Sequence, residues 1–443
     1  PTGGTRREWQ AKPYGSPYGP DRRMTGLTRR NVLAASIAAG ISPSLPAWAE
    51  GCAPVLAPLK WAPRTRRVIE RLIATYGSAS PSYNPARRPY AVFDWDNTCI
   101  AGDCEESLLH YTANHFAFAM SADTFAQATA RDVPAHTFTG PFRTVCGQNV
   151  RFKDLHADLC ADYALLSARS MPPAPTDPVL LSLRAKLVFA YDAINATCNG
   201  DIACRWIIRL LAGHDAAGLA ALARASNRWH LAQGMGQETW ITPATRSGQA
   251  GIVARPIQTG LRLTPEIADL QWVLRQAGID VHVCSASLED VVAVFATDPD
   301  YGYDLPRQNV LGVRMDWPGG RLGLDAAPNW PVTYRAGKVR AIRQALAGPR
   351  GYGPLLVCGD SDGDYAMLTE FPDTRLGLVV NRLSSGLIGT IASLAAAQLS
   401  APQPRFVLQG RDENTGEWRP SEQSIPLGSR LPALVAHSWN HTD

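Results

Sequence analysis

Three short apolar runs of this 443-residue chain end on residues able to do chemistry. Tyr90-Ala91-Val92-Phe93 runs into Asp94-Trp95-Asp96-Asn97-Thr98, and Val281-His282-Val283-Cys284 into Ser285-Ala286-Ser287. Leu355-Leu356-Val357-Cys358 runs into Gly359-Asp360-Ser361-Asp362-Gly363-Asp364, and before it Gly337-Lys338-Val339 opens a helix-like stretch. A carboxylate can attack an electrophile, exchange a proton, or bind a hard cation through oxygen. Hydroxyl and ammonium groups can hold the oxygens of an anion. One strand-end acid is commonly a helix cap, but capping does not account for these groups following one another in this order.

The runs themselves say what must position those residues. Short segments apolar on both faces, alternating with helices, are what a parallel sheet covered on both sides requires, and 376–380 is a fourth such run. Doubly wound sheets take their ligands just beyond the carboxyl ends of the strands. An amphipathic helix is predicted over 64–76, and another begins with Thr264 as N-cap and Pro265 as first helical residue and stops at Gly278. Roughly 190 residues separate the first run from the second, where a βα connection needs only roughly 2–6. Helical patterns over 177–191, 202–211 and 216–232 make that insertion mainly helical.

The expectation is an α/β doubly wound parallel sheet with an inserted helical cap, divided as a leader (1–49), a core (50–100 and 262–400), a cap (101–261) and a C-terminal extension (401–443). Phe406-Val407-Leu408 and Asn414-Thr415-Gly416 suggest a terminal hairpin. Nothing in the sequence gives Arg411-Asp412-Glu413-Asn414 a role.

A D-x-D-x-T turn, a strand-end serine, an isolated lysine and a G-D-x-x-x-D turn, in that order, resemble the four motifs of the haloacid dehalogenase superfamily. The resemblance covers 90–103 and 261–380 and leaves the cap without a recognisable pattern. It implies a Rossmann-type core, and the insertion between the first and second motifs implies a cap of the first type. Phosphoserine phosphatase-like members and secreted phosphorylcholine phosphatases share that layout. By the same resemblance Asp94 is the nucleophile that forms an aspartyl phosphate, and Asp96 the acid that protonates the leaving oxygen and later deprotonates water. Ser285 and the N–H after it hold phosphate oxygens, and Lys338 adds positive charge. Because a carboxylate approaching a phosphate dianion is repelled, a Mg²⁺ ion is expected between them. Asp94, the backbone carbonyl of Asp96 and Asp360 would hold it, with Asp364 completing or orienting the shell. Aspartate at the second acidic position argues for phosphatase over dehalogenase chemistry.

Asp103, Glu105 and Glu106 follow closely. In phosphoserine phosphatases an acid in this stretch meets the substrate ammonium, and one of these three could do the same here. An acidic first turn of a cap helix explains them equally well. Trp95 between the two acids, with Trp206, Trp229 and Trp240 in the cap, could hold a quaternary ammonium by cation–π contact or could pack the interior. Phosphorylcholine or phosphoethanolamine leads as the small phosphomonoester substrate. Phosphoserine or sugar phosphates, and a non-catalytic exported binding protein of the same fold, are the alternatives.

The 43 Lys+Arg residues exceed the 39 Asp+Glu, but seven of the basic ones lie in the first 49 residues against two acidic ones. Without that leader the signs nearly balance, and no basic stripe points to nucleic acid. Thr28-Arg29-Arg30 precedes a short apolar run over 32–41 and an A-x-A site at Ala47-Trp48-Ala49, the order of a twin-arginine export signal. The expectation is export by the twin-arginine translocation machinery to a bacterial periplasm or beyond. That run is too short to be a stable membrane anchor. Nine cysteines cannot all pair within the chain. Cys198 with Cys204 is the best-spaced bridge, with Cys99–Cys104 and Cys146–Cys160 behind it. His437 and His441 sit in a polar tail and carry little case for zinc.

Overall fold

The computed structural model describes residues 55–436. The expected leader with its export signal, and His437 and His441, lie outside the described residues.

The first apolar run becomes β1 (Tyr90–Phe93), an interior strand of a seven-stranded sheet. Its neighbours are β6 (Asp280–Leu288) and β8 (Leu356–Gly359), both parallel to it. Beyond β6 lies β7 (Val310–Val313), and beyond β8 lies β9 (Leu376–Asn381), again in parallel. Alternation along β1 shows why the run had to be apolar throughout. Ala91 and Phe93 enter one core with Ile69, Leu270 and Val291, while Tyr90 and Val92 enter the other with Ile342, Leu368 and Ile391. Helices α1 (Pro63–Tyr76), α8 (Pro265–Gln276) and α9 (Glu289–Thr297) thus cover one face. On the other lie α10 (Ala336–Ile342), α11 (Tyr365–Thr369) and α12 (Gly386–Ala397). The molecule is a mixed α/β fold with a mostly parallel central sheet, as expected.

After β1 the chain forms β2 (Ile100–Ala101) and then six helices: α2 (Cys104–His115), α3 (Ala122–Ala130), α4 (Phe152–Ser167), α5 (Pro178–Thr197), α6 (Gly200–Arg209) and α7 (Ala216–Leu231). A hairpin follows, β3 (Gly236–Ile241) with β4 (Ala254–Thr259). The chain then returns through β5 (Arg262–Leu263), which pairs antiparallel with β2.

Three features depart from the sequence reading. The segment Phe406–Asp412 does form a hairpin with Glu417–Trp418 (β10 and β11), but β10 also pairs in parallel with β9. It is the sixth strand of the central sheet rather than an extension beside it, because Phe406, Val407 and Leu408 bury where the sheet would otherwise end. Thr264 precedes α8, but its hydroxyl makes no capping bond, and its N–H donates to the Tyr303 hydroxyl. The eight described cysteines are free thiols. Cys198 turns toward His136 (3.7 Å), Cys160 toward His156 (3.5 Å), and Cys99 donates to the Asp94 carbonyl.

Candidate active site

Asp94 extends β1 by one hydrogen bond, from its N–H to the Cys358 carbonyl (2.9 Å), and so stands at the strand's carboxyl end. The chain then winds tightly, with the Trp95 carbonyl accepting from the N–H groups of Thr98, Cys99 and Ile100. Asn97 takes a left-handed conformation (φ 59°) and is tied to Gly102 through both its N–H and its side-chain oxygen. Asp94 and Asp96 therefore emerge on the pocket side. Trp95, between them, points the other way. It is fully buried against Tyr303 (ring centroids 4.9 Å) and Phe295, so it is core, not a substrate contact.

The second strand delivers two hydroxyls. The register of β6 with β7 shifts between Cys284 and Leu288, and within that irregular stretch Ser285 and Ser287 both face Asp96. Ser287 Oγ donates to Asp96 Oδ2 at 2.6 Å and Ser285 Oγ at 3.3 Å, while Asp96 Oδ1 accepts from the Cys104 N–H at 2.7 Å. The side chain of Asp96 is thus pinned by the two serines and the Cys104 N–H, and not by the cation that holds other acids of the site.

Those other acids meet around Lys338. Its ammonium donates to Asp94 Oδ1 at 2.5 Å and to Asp364 Oδ1 at 2.6 Å. Asp364 Oδ2 accepts from the N–H groups of Asp360 and Ser361, so this acid shapes the turn as well as pairing the lysine. A side chain at residue 359 would meet the Asp364 Cβ at 2.5 Å, which explains the glycine there. Asp360 accepts from Thr98 Oγ1 and from Arg382 Nη1, both at 3.0 Å.

Asp94, Asp360 and Asp364 offer carboxylate oxygens within 4.8 Å of one another. Three buried carboxylates against two cations, Lys338 and Arg382, leave an excess of negative charge. Burial, and then the Asp364 charge, push the Asp94 carboxyl well above its ordinary range, against the opposing pull of Lys338. Burial would lower the lysine, but Asp364 and Asp94 outweigh it and hold the ammonium charged. An all-oxygen donor set with excess negative charge fits Mg²⁺.

A pocket of about 470 Å³ joins these groups to the helical insertion. Glu105 and Glu106 from α2 and Tyr191 and Asp192 from α5 line it, together with Pro256 and Ile257 of β4. Glu105 is buried, accepts from the Leu288 N–H at 2.7 Å, and is pushed up to about 8 mainly by that burial. Glu106 is raised to about 7 by burial and by Asp192 and Asp96, with a Tyr191 hydrogen bond and Arg382 pulling the other way. Asp103 reaches the pocket, but its carboxylate accepts from the N–H groups of Glu105 and Glu106 at 2.9 Å each and caps α2. No tryptophan among the described residues lines the pocket. Trp206 donates to the Thr129 carbonyl, Trp240 to Glu238, and Trp229 packs on Tyr111 and His115.

The structure thus brings Asp94, Asp96, Ser285, Lys338, Asp360 and Asp364 together, with Glu105 and Glu106 facing the same space. Sequence reasoning missed Arg382, Ser287, Tyr191 and Asp192. A signal for Arg382 existed, since it follows a fourth apolar run as Asp94 follows the first. Tyr191 and Asp192 sit mid-helix with no pattern to mark them.

Part of the chain matches a known family. Residues 199–369 match the haloacid dehalogenase-like hydrolase family, a stretch holding Ser285, Lys338, Asp360 and Asp364. A phosphorylcholine phosphatase of Pseudomonas aeruginosa is 33% identical over 161 residues, covering 30% of this chain and 45% of that protein. The match therefore spans less than half the length of that relative. A solved structure of a conserved, functionally unknown protein from Anaerococcus prevotii superposes with a TM-score of 0.75 at 29% identity, covering 83% of this chain and 98% of that one. A protein of unknown function from Bordetella pertussis Tohama I scores 0.36 at 17% identity, over 72% of this chain and 98% of that one.

Proposed function

We propose that this chain, whose residues 199–369 belong to the haloacid dehalogenase-like hydrolases, hydrolyses small phosphomonoesters through an aspartyl phosphate on Asp94. The observation that carries the reading is the meeting of Asp94, Asp96, Lys338 and Asp360 in one pocket, brought there by the ends of β1 and β8 and the start of α10.

Asp94 attacks phosphorus, and as the bond to the leaving oxygen breaks, Asp96 supplies that oxygen's proton. Water then attacks the same phosphorus, Asp96 takes the water's proton, and the Asp94 carboxylate is released. Ser285, turning from Asp96, and the Ala286 N–H would donate to the phosphoryl oxygens, and Lys338 would balance their charge beside the nucleophile. Asp94, Asp360 and the Asp96 backbone carbonyl would hold Mg²⁺, with Asp364 fixing the turn, and the bound ion would supply positive charge between nucleophile and phosphate. Ser287 fixes the orientation of the acid.

Among substrates, phosphorylcholine or phosphoethanolamine fits best. Glu106 and Asp192 lie in the same pocket wall with Tyr191, an acidic and aromatic setting suited to a cationic headgroup. The name carried by the Pseudomonas relative supports the same choice. A phosphoserine or sugar-phosphate phosphatase is the second reading, and Arg382 in the pocket wall favours it, since a guanidinium suits a substrate carboxylate. The export signal read at Arg29-Arg30 belongs to this proposal, as does a periplasmic or secreted location reached by twin-arginine translocation. Among the described residues no helix is long and apolar enough to cross a membrane.

The test is release of phosphate from p-nitrophenyl phosphate with and without Mg²⁺, followed by phosphorylcholine, phosphoethanolamine, phosphoserine and sugar phosphates. Wild-type turnover that vanishes in Asp94→Asn supports the reading. No release with any divalent cation would instead favour an exported binding protein.

A further inference from the structure

We infer that Arg411 and Glu413, carried by the last parallel strand of the sheet and the turn after it, are positioning residues that hold the nucleophile turn and the Asp360 turn in register. This deepens the proposed function and rests on it for its catalytic consequence.

Asn97 stands in the left-handed region at the heart of the nucleophile turn. A non-glycine residue in the left-handed region persists where its surroundings over-determine it. Two of the contacts that fix it come from one side chain. Arg411 Nη1 donates to the Asn97 carbonyl at 2.9 Å, and Nη2 donates to Asn97 Oδ1 at 3.2 Å, across 314 residues of sequence. The guanidinium is fully buried, and its remaining bonds go to Glu413, from Nε to Oε1 and from Nη2 to Oε2, each at 2.9 Å. A planar fork can hold two acceptors on one residue and a carboxylate on its other edge, and an ammonium cannot.

Glu413 also faces the second turn. Its Oε1 lies 3.8 Å from Arg382 Nε, which is buried and makes no hydrogen bond, while Arg382 Nη1 holds Asp360 Oδ2. The chain Asn97–Arg411–Glu413–Arg382–Asp360 therefore links the D-x-D-x-T turn to the G-D-x-x-x-D turn behind the pocket. Its anchorage comes from the sheet. Gly410 pairs with Asn381, and Ser424 Oγ accepts from the Arg411 N–H and donates to the Asn381 carbonyl, so the register of β10 on β9 fixes where Arg411 stands relative to Arg382. Neither Arg411 nor Glu413 lines the pocket.

The experiment compares wild type with Glu413→Gln, which keeps the shape and removes the charge, and Arg411→Lys, which keeps the charge and removes the fork. Amide hydrogen exchange is read across the whole chain, and kcat and KM are measured for p-nitrophenyl phosphate. The expected result is exchange accelerated at least roughly tenfold within 94–102 and little changed in β9 and β10, as for a local opening. Together with it, kcat falls by roughly 10- to 100-fold while KM stays within roughly threefold. Exchange over 94–102 within twofold of wild type in both variants would overturn the inference, as would acceleration spread evenly over β9 and β10. Exchange decides the positioning role without any turnover. An inactive wild type would defeat the phosphatase reading while leaving that result to stand or fall separately.

Discussion

Lys338 Nζ lies 2.5 Å from Asp94 Oδ1, and both side chains are buried. The lysine is the nearest fixed positive charge to the nucleophile, and it pairs Asp364 as well. Replacing it with methionine leaves two buried carboxylates without their cation, a loss of about 3–5 kcal/mol for a broken buried pair. Lys338→Met is expected to lower the thermal midpoint and to cut kcat by at least roughly 100-fold. Melting curves and initial rates check both, and a folded variant with wild-type kcat would refute the role.

Asp94, Asp360 and Asp364 carry more negative charge than Lys338 and Arg382 neutralise, so Mg²⁺ should bind the folded chain better than the unfolded one. At about 100 times its dissociation constant such an ion stabilises by about 2.7 kcal/mol. The thermal midpoint should rise with added Mg²⁺, fall back with chelator, and respond far less in Asp360→Asn. Equal responses from wild type and variant would remove Asp360 from the ion's shell.

Glu105 provides a pH test with a definite sign. Burial raises its carboxyl from 4.5 to about 8 in the folded chain. Between those values the folded state keeps a proton that the unfolded state has released. Its contribution to stability is therefore fully present below about 4.5, shrinks by about 1.4 kcal/mol per pH unit as pH rises, and is lost by about 8. Glu105→Gln keeps an oxygen for the Leu288 N–H and cannot ionise. Urea midpoints over that range should fall less steeply with pH for the variant, and parallel slopes would contradict the assignment.

Burial, with Asp192 and Asp96 beside it, raises the Glu106 carboxyl to about 7, and this side chain faces the pocket. Ionisation above that value should tighten a cationic substrate, so KM for phosphorylcholine is expected to fall as pH rises through 7, while KM for p-nitrophenyl phosphate stays flat. In Glu106→Gln the phosphorylcholine dependence should disappear.

Trp95→Phe is expected to act on stability rather than recognition. The indole is buried against Tyr303 and Phe295, and trimming it should cost about 1–3 kcal/mol. The KM ratio of phosphorylcholine to p-nitrophenyl phosphate should stay unchanged. A selective rise for phosphorylcholine would return Trp95 to the substrate site.

Much of the site was legible because its residues follow apolar runs, where a local pattern and a general rule about sheets coincide, although β6 continues past Ser285 to Leu288. Asp94, Ser285 and Asp360 are of that kind, and Lys338 follows a glycine that lets α10 start close to Val332. For Trp95 the sequence left substrate contact and interior packing open, and only the tight turn after β1, which sends 95 away from the pocket, decides for packing. Glu105 and Glu106 could be narrowed only to a stretch, because helix position alone does not say which acid meets a pocket. The Arg411–Asn97 contact had no local signal, since only the register of β10 against β9 brings those residues together.

The pairing of Ile100–Ala101 with Arg262–Leu263 gives the insertion a single doorway, through which the chain leaves the core and returns. Its two ends are adjacent antiparallel partners, so their backbones lie only about 5 Å apart. Any other helical segment with equally close ends can be grafted there without rerouting the sheet. A graft that keeps the backbone N–H of residue 104 on Asp96 would change what meets the pocket while leaving the reacting groups where they stand.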